Sequence, residues 1–515
     1  MRHVPFDATF LLRRYARKRL AGLAALDPVT EQQHQLLQLV RDASTTRFGR
    51  DHGFTNIRSV DDFQAHVPLR RYEDMWQSYW QPGFPRLTDC SWPGTIPFFA
   101  LTSGTTSGTT KYIPCSDAMN RSNARAALDI LVHHLANRPQ SRVLGGKSFM
   151  LGGSTDLTEL APGILAGDLS GIAAQRTPWW ARPYTFPPRD LALLTNWEEK
   201  VERLASACPD QDIRVISGTP SWLLIFFHRL SAGIAQAFPN LELLIHGGVN
   251  FAAYHDQFVD LLRDTRAEFR EVYPASEGFI AIADRGSGDG MRLQVDNGIF
   301  YEFVPVDDVD ADKPARSWLA NVTTGVDYAI AVSTNAGLFS YLVGDVIRFV
   351  DLTPPRLLVT GRLSYFLSAF GEHLTGEDID AAISRAAAAV GASVTDYAVG
   401  AVFPDVSDSR GGHRYIVEFA APSPDLRQFA ETLDAVLSGG NDDYRAHRSA
   451  GFGLRDPDIV PVSPGTFAAW MKQRGQLGGQ HKVPRVISNA TLFGSLCRFV
   501  ASVQNGHDEG GRHGT

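Results

Sequence analysis

A run of hydroxyl side chains ends in one lysine near residue 105. Of the ten residues from Thr102 to Lys111, seven are Ser or Thr, two are Gly, and the last is the lysine itself. Glycines let backbone N–H groups approach an anion, hydroxyls add neutral donors, and a lysine supplies a point charge. The stretch predicts a phosphate-binding loop, with candidate contacts Thr102, Ser103, Gly104, Thr105, Thr106, Gly108 and Lys111.

The spacing of the glycines differs from that of a P-loop. A P-loop requires G-x-x-x-x-G-K followed by Ser or Thr, whereas here Tyr112 follows the lysine and the glycines are four apart. The alternative interpretation is a flexible polar turn. We expect the loop to join an apolar strand over 96–101 to a helix that begins after Ser116, because Ser is a favoured N-cap.

Two further motifs carry groups suited to a nucleotide. "YPASEG", residues 273–278, offers an aromatic face at Tyr273, a hydroxyl at Ser276 and a hard oxygen ligand for Mg²⁺ at Glu277. "YLVGDV", residues 341–346, ends a predicted strand with Gly-Asp, and the carboxylate of Asp345 can accept both ribose hydroxyls there. The alternative for each motif is an ordinary turn.

Two aromatic stretches are candidates for the wall of an acyl pocket. Residues 175–186 and 333–341 contain them, although core or lid packing is the alternative for each, because aromatic residues dominate cores. The candidate residues are Trp179, Trp180, Tyr184 and Phe339.

Composition limits the class of protein. The chain has 515 residues, 44% hydrophobic residues and a formal charge of −7, which fits a soluble protein of two or three domains with small-molecule partners and argues against a nucleic-acid binder. No apolar run reaches the ~18 residues of a membrane span, so no membrane partner is expected.

The Arg-rich stretch 1–26 predicts a surface helix with a solvated basic face. The cysteines form no CxxC pair and fit a reducing cytoplasm: Cys90, Cys115, Cys208 and Cys497.

The order of predicted elements indicates an α/β protein. Helices fill 1–45, and strands then alternate with helices as far as 283, which favours largely parallel sheets. Successive strands over 296–361 predict a β-rich, more antiparallel subdomain. We therefore expect a large N-terminal domain with mixed sheets over 1–362, a small α+β domain over 363–505, and a disordered tail over 506–515.

At this level of detail the sequence resembles a known family. "TSGTTSGTTK" resembles the phosphate loop of adenylate-forming enzymes, which include acyl-CoA ligases, luciferases and peptide-synthetase adenylation domains. "TRFGRDHGF", "SVDDFQAHVPLRRYEDM" and "GTFAAWMKQRGQLGGQHKVPR" narrow the resemblance to the GH3 family of acyl-acid amido synthetases. The likeness runs from about residue 35 to 490.

The resemblance implies an activity and roles for particular residues. It implies that ATP, with Mg²⁺, activates a carboxylic acid to an acyl-adenylate, which an amine, in this family an amino acid, converts to an amide. It implies catalytic roles for Lys111, Glu277 and Lys482, nucleotide contacts at Asp345 and Arg362, and a hinge after Arg362 about which the small domain moves. From spacing alone, Lys482 is equally a solvated lysine.

Two positions depart from the family pattern. Ser364 stands where the superfamily usually has Asp, and His373 stands where the family commonly has Lys. An unperturbed histidine is charged only near or below about pH 6.5, so we expect weaker nucleotide binding if that lysine touches phosphate. An acyl-CoA ligase and a non-catalytic adenylate-binding homologue are the alternative functions. The sequence does not give the oligomeric state.

Overall fold

The structure is a computed structural model, and part of the chain is described in it. The described residues are 6–510 except 104–109, 153–156, 178, 180, 193, 195, 196, 249, 250, 252–254, 287, 310, 364–373, 375, 403–411, 422, 423, 442, 443, 446, 447, 449–453, 475–482, 488 and 489.

The described residues form helices and strands throughout the chain. The α-helices are α1 Thr9–Ala25, α2 Pro28–Asp42, α3 Arg47–Asp51, α4 Val60–His66, α5 Tyr72–Met75, α6 Asp117–Asn137, α7 Leu169–Gln175, α8 Arg189–Ala192, α9 Trp197–Ala207, α10 Pro220–His228, α11 Ile234–Ala237, α12 His255–Leu261, α13 Gly376–Ala389, α14 Leu426–Gly440, α15 Thr466–Gln473 and α16 Ala490–Gly510. The strands are β1 Phe98–Ser103, β2 Thr110–Cys115, β3 Lys147–Leu151, β4 Thr158–Ala161, β5 Ile164–Gly167, β6 Thr185–Phe186, β7 Ile213–Gly218, β8 Leu243–Gly247, β9 Glu268–Ala275, β10 Gly278–Ile282, β11 Met291–Leu293, β12 Ile299–Pro305, β13 Asp327–Thr334, β14 Tyr341–Leu352, β15 Pro355–Arg362, β16 Val394–Val402, β17 Gly412–Phe419, β18 Asp458–Val462 and β19 Val486–Ile487.

The described residues divide into two compact units, one of residues 6–103 and 110–359 and one from 360 onward. The first unit contains an eleven-stranded sheet in the order β12-β13-β14-β15-β11-β10-β9-β8-β7-β3-β6 and a four-stranded sheet in the order β2-β1-β5-β4. The functional assignment of the units to an adenylation domain and a moving domain stays a prediction.

The long sheet joins parallel and antiparallel halves. Strands β3, β7, β8 and β9 run parallel, as the alternation of strands and helices predicts. The strands after β9 pair antiparallel with their neighbours, which confirms the antiparallel character expected over 296–361. These strands extend the same sheet, so the β-rich region shares one sheet with the parallel strands.

Helix boundaries follow local sequence signals closely. Helices α1 and α2 confirm the helical N-terminus, and Ser116 caps α6 by accepting a hydrogen bond from the Met119 backbone N–H at 3.0 Å. Residues 220–238, within the predicted alternation of strands and helices, form two helices: α10 ends at His228, and α11 begins after Gly233.

The second unit packs helices on both faces of a sheet. Its strand order is β18-β17-β16-β19. Helices α13 and α14 bury apolar side chains on one face, and α15 and α16 bury theirs on the other. Helix α16 continues to Gly510, five residues into the segment expected as a disordered tail, and 511–515 lie outside the described residues. Among the described residues, no helix has the length and apolarity that crossing a membrane requires.

Candidate active site

The hydroxyl-rich segment connects two antiparallel strands. Thr102 in β1 pairs with Lys111 in β2, and Ser103 pairs with Thr110. The helix begins after Ser116 as expected, but residues 110–115, which the sequence does not predict as a strand, form β2 and bury Ile113 and Cys115. The predicted loop contacts Gly104, Thr105, Thr106 and Gly108 lie outside the described residues.

Lys111 is held by a short helix from the N-terminal region. Its Nζ lies 3.6 Å from Oε1 of Glu73 and 5.1 Å from the centre of the Tyr72 ring. The backbone N–H of Tyr112 donates a hydrogen bond to the Tyr72 hydroxyl at 3.0 Å, which fixes β2 against α5. Burial raises the pKa of Tyr72 to about 12, so this hydroxyl stays protonated. The lysine charge is thus positioned at the end of the predicted phosphate loop.

Glu277 lies in a two-residue turn between β9 and β10. Ala275 and Gly278 pair across this hairpin, so Ser276 and Glu277 form its tip. Gly278 has a φ of +153°, and a Cβ there would come 2.6 Å from the Ile299 side chain, which explains the glycine. The Glu277 side chain is buried, and Ser276 is half-buried. The tight turn therefore holds one carboxylate in a fixed position.

The turn that carries Glu277 is also supported from α6. The Phe279 backbone N–H donates a hydrogen bond to the Asn123 side chain at 3.2 Å. The Ser116 hydroxyl, at the start of the same helix, donates to the Asn335 carbonyl at 2.5 Å. Because α6 directly follows β2, one helix connects the strand of Lys111 to the turn of Glu277.

Tyr273 and Asp345 meet in the first unit. The Tyr273 hydroxyl donates a hydrogen bond to the Asp345 carboxylate, and both side chains are buried. Tyr273 is near the carboxyl end of β9, the edge at which open α/β sheets bind ligands. Two motifs that are 72 residues apart in sequence therefore contribute to one site.

A bulge in β14 orients the side chain of Asp345. The sequence predicts that Gly-Asp ends a strand, and this is wrong: β14 continues to Leu352. Its register with β13 shifts between Leu342 and Val346, and Gly344 within the shifted stretch has a φ of +93°. A bulge redirects side chains, and glycine reaches this φ at little cost. The bulge explains how a residue inside a strand presents its carboxylate to Tyr273.

Other predicted site residues are placed apart from this group or are not described. Arg362 is the last residue of β15 and belongs to the second unit. Lys482 and the departures Ser364 and His373 lie outside the described residues.

The predicted acyl-pocket residues occupy three different environments. Trp179 is 79% exposed. The Tyr184 hydroxyl donates a hydrogen bond to the Phe6 carbonyl at 2.7 Å. Phe339 is fully buried, and its ring stacks on Phe48 with 5.1 Å between centroids, so it packs in the hydrophobic core. Trp180 lies outside the described residues. The structure does not bring the three described residues together as a pocket wall.

Sequence reasoning missed two titratable groups on the neighbouring strands β8 and β9. His246 near the end of β8 and Glu271 in β9 are register partners. Burial lowers the pKa of His246 to about 3, and neither ring nitrogen has a hydrogen-bond partner among the described residues. Burial raises the pKa of Glu271 to about 7. The parallel alignment of "LELLIHG" with "EFREV" is the signal that could have paired them.

The carboxylates of this site can be compared with the ligands that Mg²⁺ requires. Among the described residues no cluster of three or more His, Cys, Asp or Glu side chains is placed to hold a metal ion. Mg²⁺ in nucleotide sites commonly takes one or two carboxylates, with substrate phosphates and waters as its other ligands. The single buried carboxylate of Glu277 fits a magnesium that arrives with a nucleotide, and does not fit a metal held by protein ligands alone.

The fold is one that adenylate-forming ligases share. A solved structure of a GH3.15 acyl acid amido synthetase superposes with a TM-score of 0.77 at 17% identity and covers 95% of both chains. A 2-hydroxyisobutyryl-CoA ligase in the postadenylation state, in complex with 2-HIB-AMP, superposes with a TM-score of 0.60 at 17% identity and covers 91% of both chains. At these identities the likeness shows the architecture, and confirms the expected mixed α/β fold.

Family models define the membership more narrowly. The GH3 family N-terminal domain matches residues 23–188, the GH3 family central domain matches 293–362, and the GH3 family C-terminal domain matches 377–491. Together these matches span about two thirds of the chain. The chain belongs to the GH3 family.

Curated relatives match over part of their length. The probable indole-3-acetic acid-amido synthetase GH3.9 of Oryza sativa subsp. japonica is 29% identical over 255 residues, which are 45% of this chain and 56% of that protein. The indole-3-acetic acid-amido synthetase GH3.8 of Oryza sativa subsp. indica is 27% identical over 240 residues, 42% of this chain and 38% of that protein. The chain thus aligns with little more than half of the first relative and less than half of the second.

Proposed function

We propose that this chain is an ATP-dependent ligase that activates a carboxylic acid as its acyl-adenylate and transfers the acyl group to an amine, forming an amide. The family membership and the names of its relatives support the reaction class. The observation that carries the proposal is the buried hydrogen bond between Tyr273 and Asp345, because it joins the ring proposed for adenine to the carboxylate proposed for the ribose, in the strand that leads into the turn of Glu277.

Adenylation brings two anions together, so the site must neutralise charge. Attack of a carboxylate oxygen on the α-phosphorus of ATP forms a C–O–P linkage and releases pyrophosphate. Lys111 and the hydroxyls of the adjoining loop would bind the phosphates, since fixed donors aimed at developing charge are the largest catalytic contribution in such sites. The position of Lys111, fixed by Tyr72 and Glu73, supports this role.

Glu277 would hold a magnesium ion that accompanies the nucleotide. A bound Mg²⁺ supplies Lewis-acid neutralisation of phosphate charge. Ser276, in the same turn, offers a hydroxyl to the α-phosphate or to the acyl carboxylate. Asp345 would accept the ribose hydroxyls, while Tyr273 presents its ring to adenine and holds the Asp345 carboxylate through its hydroxyl.

The remaining assignments rest on the family pattern. Arg362 would contact ribose or phosphate, and Lys482 would act on the acyl-adenylate. The amine acceptor would be an amino acid, and the chain would work in the cytoplasm on small molecules with ATP and Mg²⁺. If the family lysine binds phosphate, His373 would make nucleotide binding stronger below about pH 6.5, where an unperturbed histidine carries charge.

Carboxylate-dependent exchange of labelled pyrophosphate into ATP tests the proposal. The purified chain is incubated with Mg-ATP and a panel of aliphatic, aromatic and indolic acids. We expect exchange with at least one acid, and none without acid. Adding amino acids and CoA in turn to the active acid then distinguishes amide from thioester formation. Amide with an amino acid supports the proposal, whereas thioester alone would assign the chain as an acyl-CoA ligase. Absence of pyrophosphate exchange with every acid of the panel would indicate that the chain is a non-catalytic adenylate-binding homologue.

A further inference from the structure

Helix α1 presents an exposed surface that the proposed reaction does not use. This helix contains five basic residues and no acidic residue, in a chain whose formal charge is −7. Phe10 and Leu11 at its start are 54% and 57% exposed, and Phe6 just before it is 72% exposed. A cluster of exposed large apolar side chains is typical of an interaction surface, because ordinary solvated surface rarely groups such side chains together.

The opposite face of α1 is already occupied by the fold. Leu12 and Ala16 are buried in a cluster shared with α6, and Leu23 on the same face is also buried. Arg13 donates to the Ser141 carbonyl at 2.7 Å, and Arg19 forms ion pairs with the buried Asp129 and the half-buried Asp296. The helix is therefore fixed to the first unit, and its outer face is rigidly presented.

Three basic side chains of the outer face remain uncompensated. Arg14, Arg17 and Lys18 are exposed, and no hydrogen bond or ion pair joins any of them to the described part of the chain. On a helical projection they lie on the same side as Phe10 and Leu11. The nearby carboxylate of Asp7 does not offset them, because it is paired with Arg142 at 2.8 Å.

The apolar turn is also held in place. The Tyr184 hydroxyl donates to the Phe6 carbonyl, which anchors the chain where it enters α1. The rings of Phe6 and Phe10 contact edge to face, with 6.1 Å between centroids. Two exposed aromatic rings and a leucine thus form one apolar tip, beside a basic stripe along the helix.

We propose that α1 docks this first unit on an anionic lipid membrane surface, with Phe6, Phe10 and Leu11 entering the acyl-chain boundary and Arg14, Arg17 and Lys18 contacting phosphate headgroups. Interfacial helices combine Phe or Leu with Lys and Arg in this way, and juxtaposed basic residues bind the negative surface potential. The apolar tip favours a membrane over a nucleic acid, for which the basic stripe alone would suffice. The docking is peripheral and does not depend on a membrane-spanning segment.

Vesicle co-sedimentation tests the docking with the intact protein. The probes are vesicles of phosphatidylcholine alone and vesicles of equal parts phosphatidylcholine and phosphatidylglycerol. We expect binding to the anionic vesicles only, weakened by added salt because the Debye length shortens. The double variants F10S/L11S and R14E/R17E should each lower the partition coefficient about tenfold or more.

Matched controls separate this surface from general stickiness. The variant V350S/L352S removes exposed apolar side chains of β14, and R41E/R50E reverses exposed charges elsewhere; both should bind like the wild type. All variants should retain the wild-type melting temperature and pyrophosphate exchange. The proposal is overturned if the wild type does not sediment with anionic vesicles, if either α1 variant binds as the wild type does, or if the protein binds duplex DNA and not vesicles.

Discussion

At the residue scale, the proposed nucleotide site depends on Tyr273, Glu277 and Asp345, which are all buried in the first unit. An aromatic ring and two carboxylates suit a nucleotide and its magnesium, and the sequence predicts these three residues on that ground. The direct hydrogen bond from Tyr273 to Asp345 was not predictable, because it depends on a bulge at Gly344 that a local pattern does not reveal. His246 and Glu271 were missed because only strand pairing places them together.

The hydrogen bond between Tyr273 and Asp345 predicts a binding effect. In Y273F, the buried carboxylate of Asp345 loses the hydrogen bond that the Tyr273 hydroxyl donates. A hydrogen bond to a charged group contributes about 1.5–3 kcal/mol. We expect the KM for ATP to rise roughly tenfold, with a smaller change in kcat, when exchange is measured over a range of ATP concentrations. The variant Y444F removes a hydroxyl that donates to the Asp434 carboxylate in the second unit and is the matched control. An unchanged KM for ATP in Y273F would show that the hydrogen bond between Tyr273 and Asp345 does not contribute to nucleotide binding.

Charge at the phosphate loop and at the turn predicts a catalytic effect. K111A and E277Q each remove a group placed to stabilise transferring phosphate, and loss of one such contact costs about 10²-fold or more in rate. Pyrophosphate exchange measures this loss, with the exposed substitutions K313A and E159Q as controls that should retain activity. A wild-type rate in either site variant would remove that residue from the proposed mechanism.

At the element scale, alternation and capping were the reliable signals. Ser116 was recognised as an N-cap, and α1, α2 and α6 follow helical periodicity. The errors lie where long-range pairing decides structure. Residues 110–115 form a strand because they pair with β1, and Gly-Asp lies inside β14 because β13 continues beside it. Both pairings join segments whose sequences alone do not specify a partner.

The pairing of β8 with β9 predicts a pH effect on stability. Glu271, next to His246, has a pKa raised from 4.5 to about 7, so between these values the folded state holds a proton that the unfolded state has lost. Stability from this group is therefore present below about pH 4.5 and is lost as pH rises through about 7, a change of about 3 kcal/mol. Relative to the wild type, E271Q should gain free energy of unfolding at pH 8 and show no such gain at pH 4 by denaturant titration.

A neighbouring residue provides the control of opposite sign. Glu268, in the same strand, has a pKa lowered by hydrogen bonds to His134 and Arg270, although burial opposes this shift. Its stabilisation is present above its unfolded pKa and is lost as pH falls through the folded value. E268Q should therefore destabilise at pH 8 and less so at acid pH. Equal effects of E271Q at both pH values would contradict the assigned environment of Glu271.

At the scale of the whole molecule, the resemblance to a known family predicts more about function than the composition does. Length and charge suggested only a soluble protein of two or three domains, whereas motifs distributed over the chain indicated the family that the domain models confirm. The described aromatic candidates Trp179, Tyr184 and Phe339 lie in three different environments, so they do not by themselves define an acyl pocket. Acyl specificity depends on pocket shape, which residue types do not encode locally.

The family resemblance predicts a catalytic role for Lys482. K482A should therefore reduce overall amide formation at least about tenfold while leaving the fold unchanged. The measurement is turnover with the acid and amine that support activity, alongside a thermal unfolding scan. K472A, in α15, is the control. Normal turnover of K482A would make this lysine a solvated surface residue.

The fate of a labelled oxygen tests the central claim most directly. If a carboxylate oxygen attacks the α-phosphorus and the amine then displaces AMP, one ¹⁸O from a doubly labelled acid must appear in the AMP, and one must remain in the amide. Mass spectrometry of both products after turnover measures this transfer. We predict AMP that carries a single ¹⁸O; unlabelled AMP, or label in inorganic phosphate with ADP as coproduct, would contradict activation through an acyl-adenylate.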